Sequence, residues 1–127
     1  MRCTSPGDRP AGRAGRIPPA VVLLHRHGDP RVLREILAGL EEEGVPCRTE
    51  EAADGGAREL AFAAAQVSSL GVGVGVDAMG NTCVHHAKLP RDAPAAAGPA
   101  GSARVMGHNA ARLVVRIPFK RQEDSHA

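Results

Sequence analysis

A chain of 127 residues with two Phe, no Trp and no Tyr is long enough for one hydrophobic core and too short for two, and that core must be aliphatic. A net charge of +2, with no aromatic platform and no basic stripe expected on the body, gives nucleic-acid binding little support. Cys3, Cys47 and Cys83 are odd in number and lack CxxC spacing, which argues against a disulfide framework and for a reducing, cytoplasmic setting.

Residues 1–18 hold Arg2, Arg9, Arg13 and Arg16 against Asp8, which leaves the remainder at −1. Rich in Gly, Pro and Arg, this segment is expected to be disordered. No apolar run follows its arginines, so it reads as neither a secretory signal nor an anchor. No window approaches the apolar length that spans a bilayer. The folded domain is expected over 19–120, with a flexible tail at 121–127.

The apolar run Ala20 to Leu24 predicts a buried strand. After a loop at His25 to Asp29, Asp29 near the N-cap and Pro30 in the first turn open a helix. That helix ends in Glu41, Glu42 and Glu43 and is stopped by Gly44. Carboxylates are misplaced there, because a helix C-terminus already carries unpaired carbonyls and partial negative charge. Each costs roughly 0.3–1 kcal/mol at low salt, and a cation or basic partner outside the helix would relieve it.

On a wheel of about 100° per residue, Val32, Leu33, Ile36, Leu37 and Leu40 form the apolar stripe. Arg31, Glu35, Ala38 and Glu42 lie opposite, with Glu41 on the flank and Glu43 toward the apolar edge. Ala38 and Gly39 leave the outer side nearly flat, which suggests close approach by another surface. These positions are the candidate interface. Its argument requires Glu42 to project outward and not to be engaged solely by its own chain.

Val45 to Thr49 predicts a short strand, Glu50 to Gly56 an acidic loop, and Ala57 to Ser69 a second helix burying Leu60, Ala64 and Val67. Leu70 to Asp77 alternates glycine with valine, so a strand there has one valine face and one bare face. Met79-Gly80-Asn81 predicts a turn into a partner strand, Thr82 to Ala87. Residues 90–101 read as loop, Ser102 to Leu113 as a third helix, and Val114 to Phe119 as a last strand. The order β-α-β-α-β-β-α-β implies an α/β fold in three layers, α/β/α, with a mixed, mostly parallel sheet of four to five strands.

Catalytic motifs are weak. Gly71-Val72-Gly73-Val74-Gly75 lies within a strand and not in the strand-to-helix turn that a dinucleotide fingerprint needs. A bare strand beneath a tightly packed helix is the better reading. Cys83 and His85 share a strand face while His86 points away, and two ligands do not close a zinc site. A Cys83–histidine nucleophile pair lacks an orienting acid and an oxyanion turn. His25 and His27 flank the strand mouth where α/β folds bind ligands, but two loop histidines are a slight signal.

Three segments together are distinctive: Pro19 to Val22, the run Arg34 to Pro46 with its LEEEGVP ending, and Gly107 to Phe119 containing NAARLV and IPF. The chain resembles the small subunit of diol or glycerol dehydratase reactivases, which is related to the medium subunit of the dehydratases, over residues 19–120. It departs from that pattern at His86, where the family more often has an aromatic, and in an Ala/Gly-rich loop at 91–101.

The resemblance implies a non-catalytic, chaperone-like role. A large actin-like ATPase subunit binds the nucleotide, ATP or ADP. The small subunit exchanges with a subunit of the inactivated dehydratase, and damaged cobalamin is released. It further implies that the middle glutamate of the triplet, here Glu42, helps hold a Mg2+ shared with the large subunit; the wheel then places Arg31, Glu35, Ala38 and Glu41 as the expected flank of that interface. The alternatives are a medium subunit of a cobalamin-dependent dehydratase, which carries extra sequence, and a free-standing enzyme, which needs a convergent polar pocket.

Overall fold

A computed structural model describes residues 18–116. Asp29 caps the first helix by accepting the Arg31 N–H at 2.9 Å. Pro30 supplies the preset φ of a first helical position, and α1 runs Pro30–Glu42. Its end is set by Gly44, whose φ of +76° is one that residues with a Cβ rarely adopt. The reversed chain is tied back by Val45 N–H donating to Leu40 O at 3.0 Å.

Strand β1, Val21–His25, lies second in a five-stranded sheet ordered β2-β1-β3-β4-β5. It pairs in parallel with β2, Cys47–Glu51, and with β3, Val72–Val76. β3 then runs antiparallel to β4, Thr82–His86, and β4 antiparallel to β5, Ala96–Gly98. Between β2 and β3 lies α2, Ala57–Val67, and after β5 a short 3-10 turn at Ala100–Ser102 leads into α3, Ala103–Arg116.

The glycine–valine alternation of β3 divides the layers. Val72, Val74 and Val76 face a core with Ile36 and Leu40 of α1 and with Ala103, Met106 and Ala110 of α3. On the opposite face, a Cβ built on Gly73 would lie 2.1 Å from Ala65 N and 2.4 Å from Ala61 O. One on Gly75 would lie 2.2 Å from Ala57 O. The α2 backbone therefore rests on bare strand, as the alternation predicts, and the three-layer α/β/α order follows.

Several boundaries differ from expectation for identifiable reasons. Val45 and Pro46 complete the turn after Gly44, so β2 begins at Cys47 and takes Glu50 and Glu51 from the expected acidic loop. Helix α2 buries Leu60, Ala61, Ala64 and Ala65, while Val67 is 62% exposed. Direct contact with glycine selects the alanine stripe over the larger side chain at the helix end. β5 forms inside the expected 90–101 loop because the free edge of β4 offers hydrogen-bonding groups, and Ala95 N–H donates to Val84 O at 2.9 Å. Two parallel and two antiparallel pairings result, an even balance where a mostly parallel sheet was expected. Residues 114–116, expected in a last strand, continue α3. The rest of that strand, the N-terminal extension 1–17 and the tail 121–127 lie outside the described residues.

Gly73→Ala is expected to destabilise the fold by about 1–3 kcal/mol or more, since backbone on both sides must move. Gly101→Ala, with no atom within 4 Å of the added Cβ, should stay within about 0.5 kcal/mol. Urea unfolding of both variants checks the contrast.

Candidate functional site

The outer surface of α1 meets α3. A Cβ on Gly39 would lie 2.4 Å from Arg104 O, and one on Gly107 would lie 2.2 Å from Ile36 O. The two helices therefore touch backbone to backbone. The close approach that Gly39 signals is met by this chain's own α3, which corrects the expectation of an outside surface at that position.

This crossing brings opposite charges together. Arg104 donates from Nε to Glu35 Oε1 at 3.0 Å and from Nη1 to Glu42 Oε2 at 2.8 Å. His108 places Nε2 3.0 Å from Glu42 Oε1 and Nδ1 2.8 Å from Glu43 Oε2. Arg112 stands farther off, with Nη2 3.8 Å from Glu43 Oε2. The acidic end of α1 is thus compensated by α3. Glu42 is outward, with its side chain 49% exposed, yet its two oxygens engage groups of the same chain. The misplaced-charge argument for an outside cation loses its force, because the relieving cations are internal. Exposed pairs of this kind contribute roughly 0.2–1 kcal/mol each.

A sequence signal for these partners existed. Arg104, His108 and Arg112 are spaced four apart within the expected third helix, so they form one basic stripe. That stripe corrects the expectation that the body has none. Of the candidate residues, Glu35 and Glu42 are joined through Arg104, and Ala38 is half-buried between their turns. Glu41 is exposed beside them. Arg31 is separate, about 16 Å along the helix from Glu42 by rise per residue, and it pairs with Asp29 at 3.2 Å.

The donor chemistry suits a hard cation, since carboxylate oxygens cluster at one exposed helix end. The cluster is not a closed site. Among the described residues, no group of three or more His, Cys, Asp or Glu side chains is placed to hold a metal ion. A cation at Glu42 would need its further ligands from another chain and would have to displace Arg104 and His108 from the carboxylate oxygens.

The other candidates have structural roles. His85 is fully buried and meets Phe62 edge-on at 5.1 Å. Its Nδ1 accepts the His86 N–H at 3.0 Å, which leaves Nε2 to donate to Arg91 O at 3.0 Å. Arg91 in turn lies over the Phe62 ring at 4.8 Å, so the pair pins the 87–95 loop to α2. Cys83 is 2% exposed; burial pushes its thiol above the usual 9.0, offset in part by the nearby Arg58 charge. His27 faces Glu51 at 2.7 Å beside an open crevice of about 380 Å³ lined also by Arg26, Ala52, Ala53 and Ala78. His25 sits at the end of β1 with Nδ1 3.3 Å from Arg26 O.

A family model of the dehydratase medium subunit matches residues 18–120. The chain is 45% identical over 94 residues to a probable glycerol dehydratase-reactivating factor small subunit of Citrobacter freundii, covering 70% of this chain and 80% of that protein. It is 37% identical over 106 residues to a diol dehydratase-reactivating factor small subunit of Klebsiella michiganensis, covering 80% and 84%. Among solved structures, a glycerol dehydratase reactivase chain superposes with a TM-score of 0.74 at 39% identity, over 83% of this chain and 99% of that one. A diol dehydratase-reactivating factor complexed with ADP and Mg2+ gives 0.71 at 36% identity, over 82% and 99%.

Two titration predictions follow from the geometry. The Arg31 N–H, and then the Arg31 guanidinium, hold the Asp29 carboxyl below its ordinary 3.8. Its charge therefore stabilises the fold above about 3.8, and this contribution is lost as pH falls through the folded value. Asp29→Asn, which keeps a capping oxygen, should melt below the parent at neutral pH and converge with it in acid; thermal unfolding across pH reads this. Cys83 carries the opposite sign, its stabilising neutral form being lost as pH rises through the raised value. Iodoacetamide should label it far more slowly in the native chain than in urea.

Proposed function

The chain belongs to the dehydratase medium-subunit family and groups with reactivating-factor small subunits; on that premise we propose that it works as the small, non-catalytic subunit of a dehydratase reactivase. One observation carries this reading. The likeness to a solved glycerol dehydratase reactivase chain extends over 99% of that chain, and this supports reading the domain as the counterpart of one whole subunit. A dehydratase medium subunit is the second reading, favoured by the family model itself, whereas the relatives named reactivating-factor small subunits support the first.

In the proposed cycle the chain pairs with a large actin-like ATPase subunit, which binds ATP or ADP. It leaves that partner when a subunit of an inactivated diol or glycerol dehydratase takes its place, and damaged cobalamin is released. Its own contribution is to hold and then vacate the partner's surface. Glu42 is the residue proposed to share a Mg2+ with the large subunit, and Arg31, Glu35, Ala38 and Glu41 are proposed to flank the contact. The solved relative complexed with ADP and Mg2+ and the exposed carboxylates of α1 support that reading. When bound, the ion would supply electrostatic bridging between carboxylates of two chains. The proposed setting is the cytoplasm, in the dehydratase's own compartment, including a bacterial microcompartment where the client resides in one. No helix among the described residues is long and apolar enough to cross a membrane.

Glu42→Gln should weaken magnesium-dependent co-purification with the large subunit by about tenfold or more and leave the isolated fold intact. Unchanged assembly would contradict the assignment of Glu42. The isolated chain should take up neither cobalamin nor ATP; cobalamin uptake together with a dehydratase large subunit would favour the second reading.

A further inference from the structure

Glu42 is engaged through both of its oxygens, Oε2 by Arg104 and Oε1 by His108. Each group that holds it also holds another carboxylate: Arg104 keeps Glu35 at 3.0 Å through Nε, and His108 keeps Glu43 at 2.8 Å through Nδ1. Withdrawing Glu42 therefore strands neither Arg104 nor His108.

The backbone of Arg104 is held by the helix crossing. Its carbonyl sits at the backbone contact with Gly39, so its Cα is fixed by the helix crossing. From there the guanidinium spans Glu35 and Glu42, two helical turns apart, and its side chain is 43% exposed. A guanidinium at 2.8 Å from a carboxylate oxygen both occupies that oxygen and repels a second cation.

We propose that Arg104 is a positioning residue that latches Glu42 in the unassembled subunit, so that a divalent cation at the partner interface must displace the guanidinium to reach the carboxylate. This rests on the proposed role of Glu42 as a shared ligand and adds a competition intrinsic to this chain. Freeing Oε2 breaks the Arg104 pair, and freeing the whole carboxylate also breaks the His108 contact at Oε1, while Glu35 retains Arg104 and Glu43 retains His108 in place for closure. The free subunit then keeps its acidic end internally neutralised, and assembly responds to magnesium over a higher concentration range than an unlatched carboxylate would allow.

The test titrates magnesium into the full chain mixed with the large subunit and follows assembly by size exclusion with light scattering. Removing one exposed pair should lower the magnesium concentration for half-assembly of Arg104→Met about two- to fivefold. Arg104→Lys, which keeps the charge, should restore most of the parent's midpoint. Arg112→Met removes the same charge from the same helix but loses only the 3.8 Å contact to Glu43, so its midpoint should not move. Thermal unfolding of each isolated chain reports the fold, and Arg104→Gln replaces the methionine variant should that one melt early.

The latch is overturned if the Arg104→Met midpoint is unchanged or higher, or if Arg112→Met shifts it equally, which would indicate a general field. Glu42→Gln separates the two levels. Loss of its magnesium response with an unmoved Arg104→Met midpoint overturns the latch alone. A magnesium response like the parent's overturns the Glu42 assignment and the latch with it.

Discussion

The contact of α1 with α3 at Gly39 and Gly107 is the constraint on which the surface chemistry depends. A methyl group at either glycine would overlap backbone of the facing helix. Without that group the helices approach closely enough for side chains on their outer edges to meet. Glu35 and Glu42 of α1 and Glu43 at its C-cap then face Arg104, His108 and Arg112 of α3. Each exposed pair is weak, so the crossing is secured by the apolar face beneath, where Ile36, Leu40, Met106 and Ala110 are buried. The charges trim the surface and do not hold the fold.

The second sheet face works by the same means. Gly73 and Gly75 admit α2 against β3 because Ala57, Ala61 and Ala65 present only short side chains at four-residue spacing. Small residues meeting small residues fix the spacing of both helical layers, which suits a chain with two phenylalanines and no larger aromatic. Aliphatic side chains then fill the remaining core.

Much of this organisation was legible in the sequence. Asp29 and Pro30 announced the start of α1, Gly44 its end, and the Gly–Val alternation gave both the strand and the close approach of α2. Local signals failed where tertiary contact decides. β5 is a three-residue Ala-Ala-Gly strand with no periodicity of its own and exists because β4 has a free edge. Residues 114–116 form helix although their β-branched composition favours a strand. The triplet of glutamates taken alone points to an outside cation, yet the complementary stripe at 104, 108 and 112 lies in the same sequence. What joins them is the relative placement of two helices, which neither helix encodes by itself.

The proposed partner contact therefore begins from a subunit whose acidic helix end is already satisfied. Carboxyl-group footprinting with a water-soluble carbodiimide and an amine label tests this account most directly, with the chain alone and with the large subunit in magnesium. The account predicts that Glu42 is labelled in the free chain and shielded in the complex, with Glu35 shielded less. Equal labelling of Glu42 in both states, or shielding confined to Glu50 and Glu51 at the opposite edge of the sheet, would contradict it.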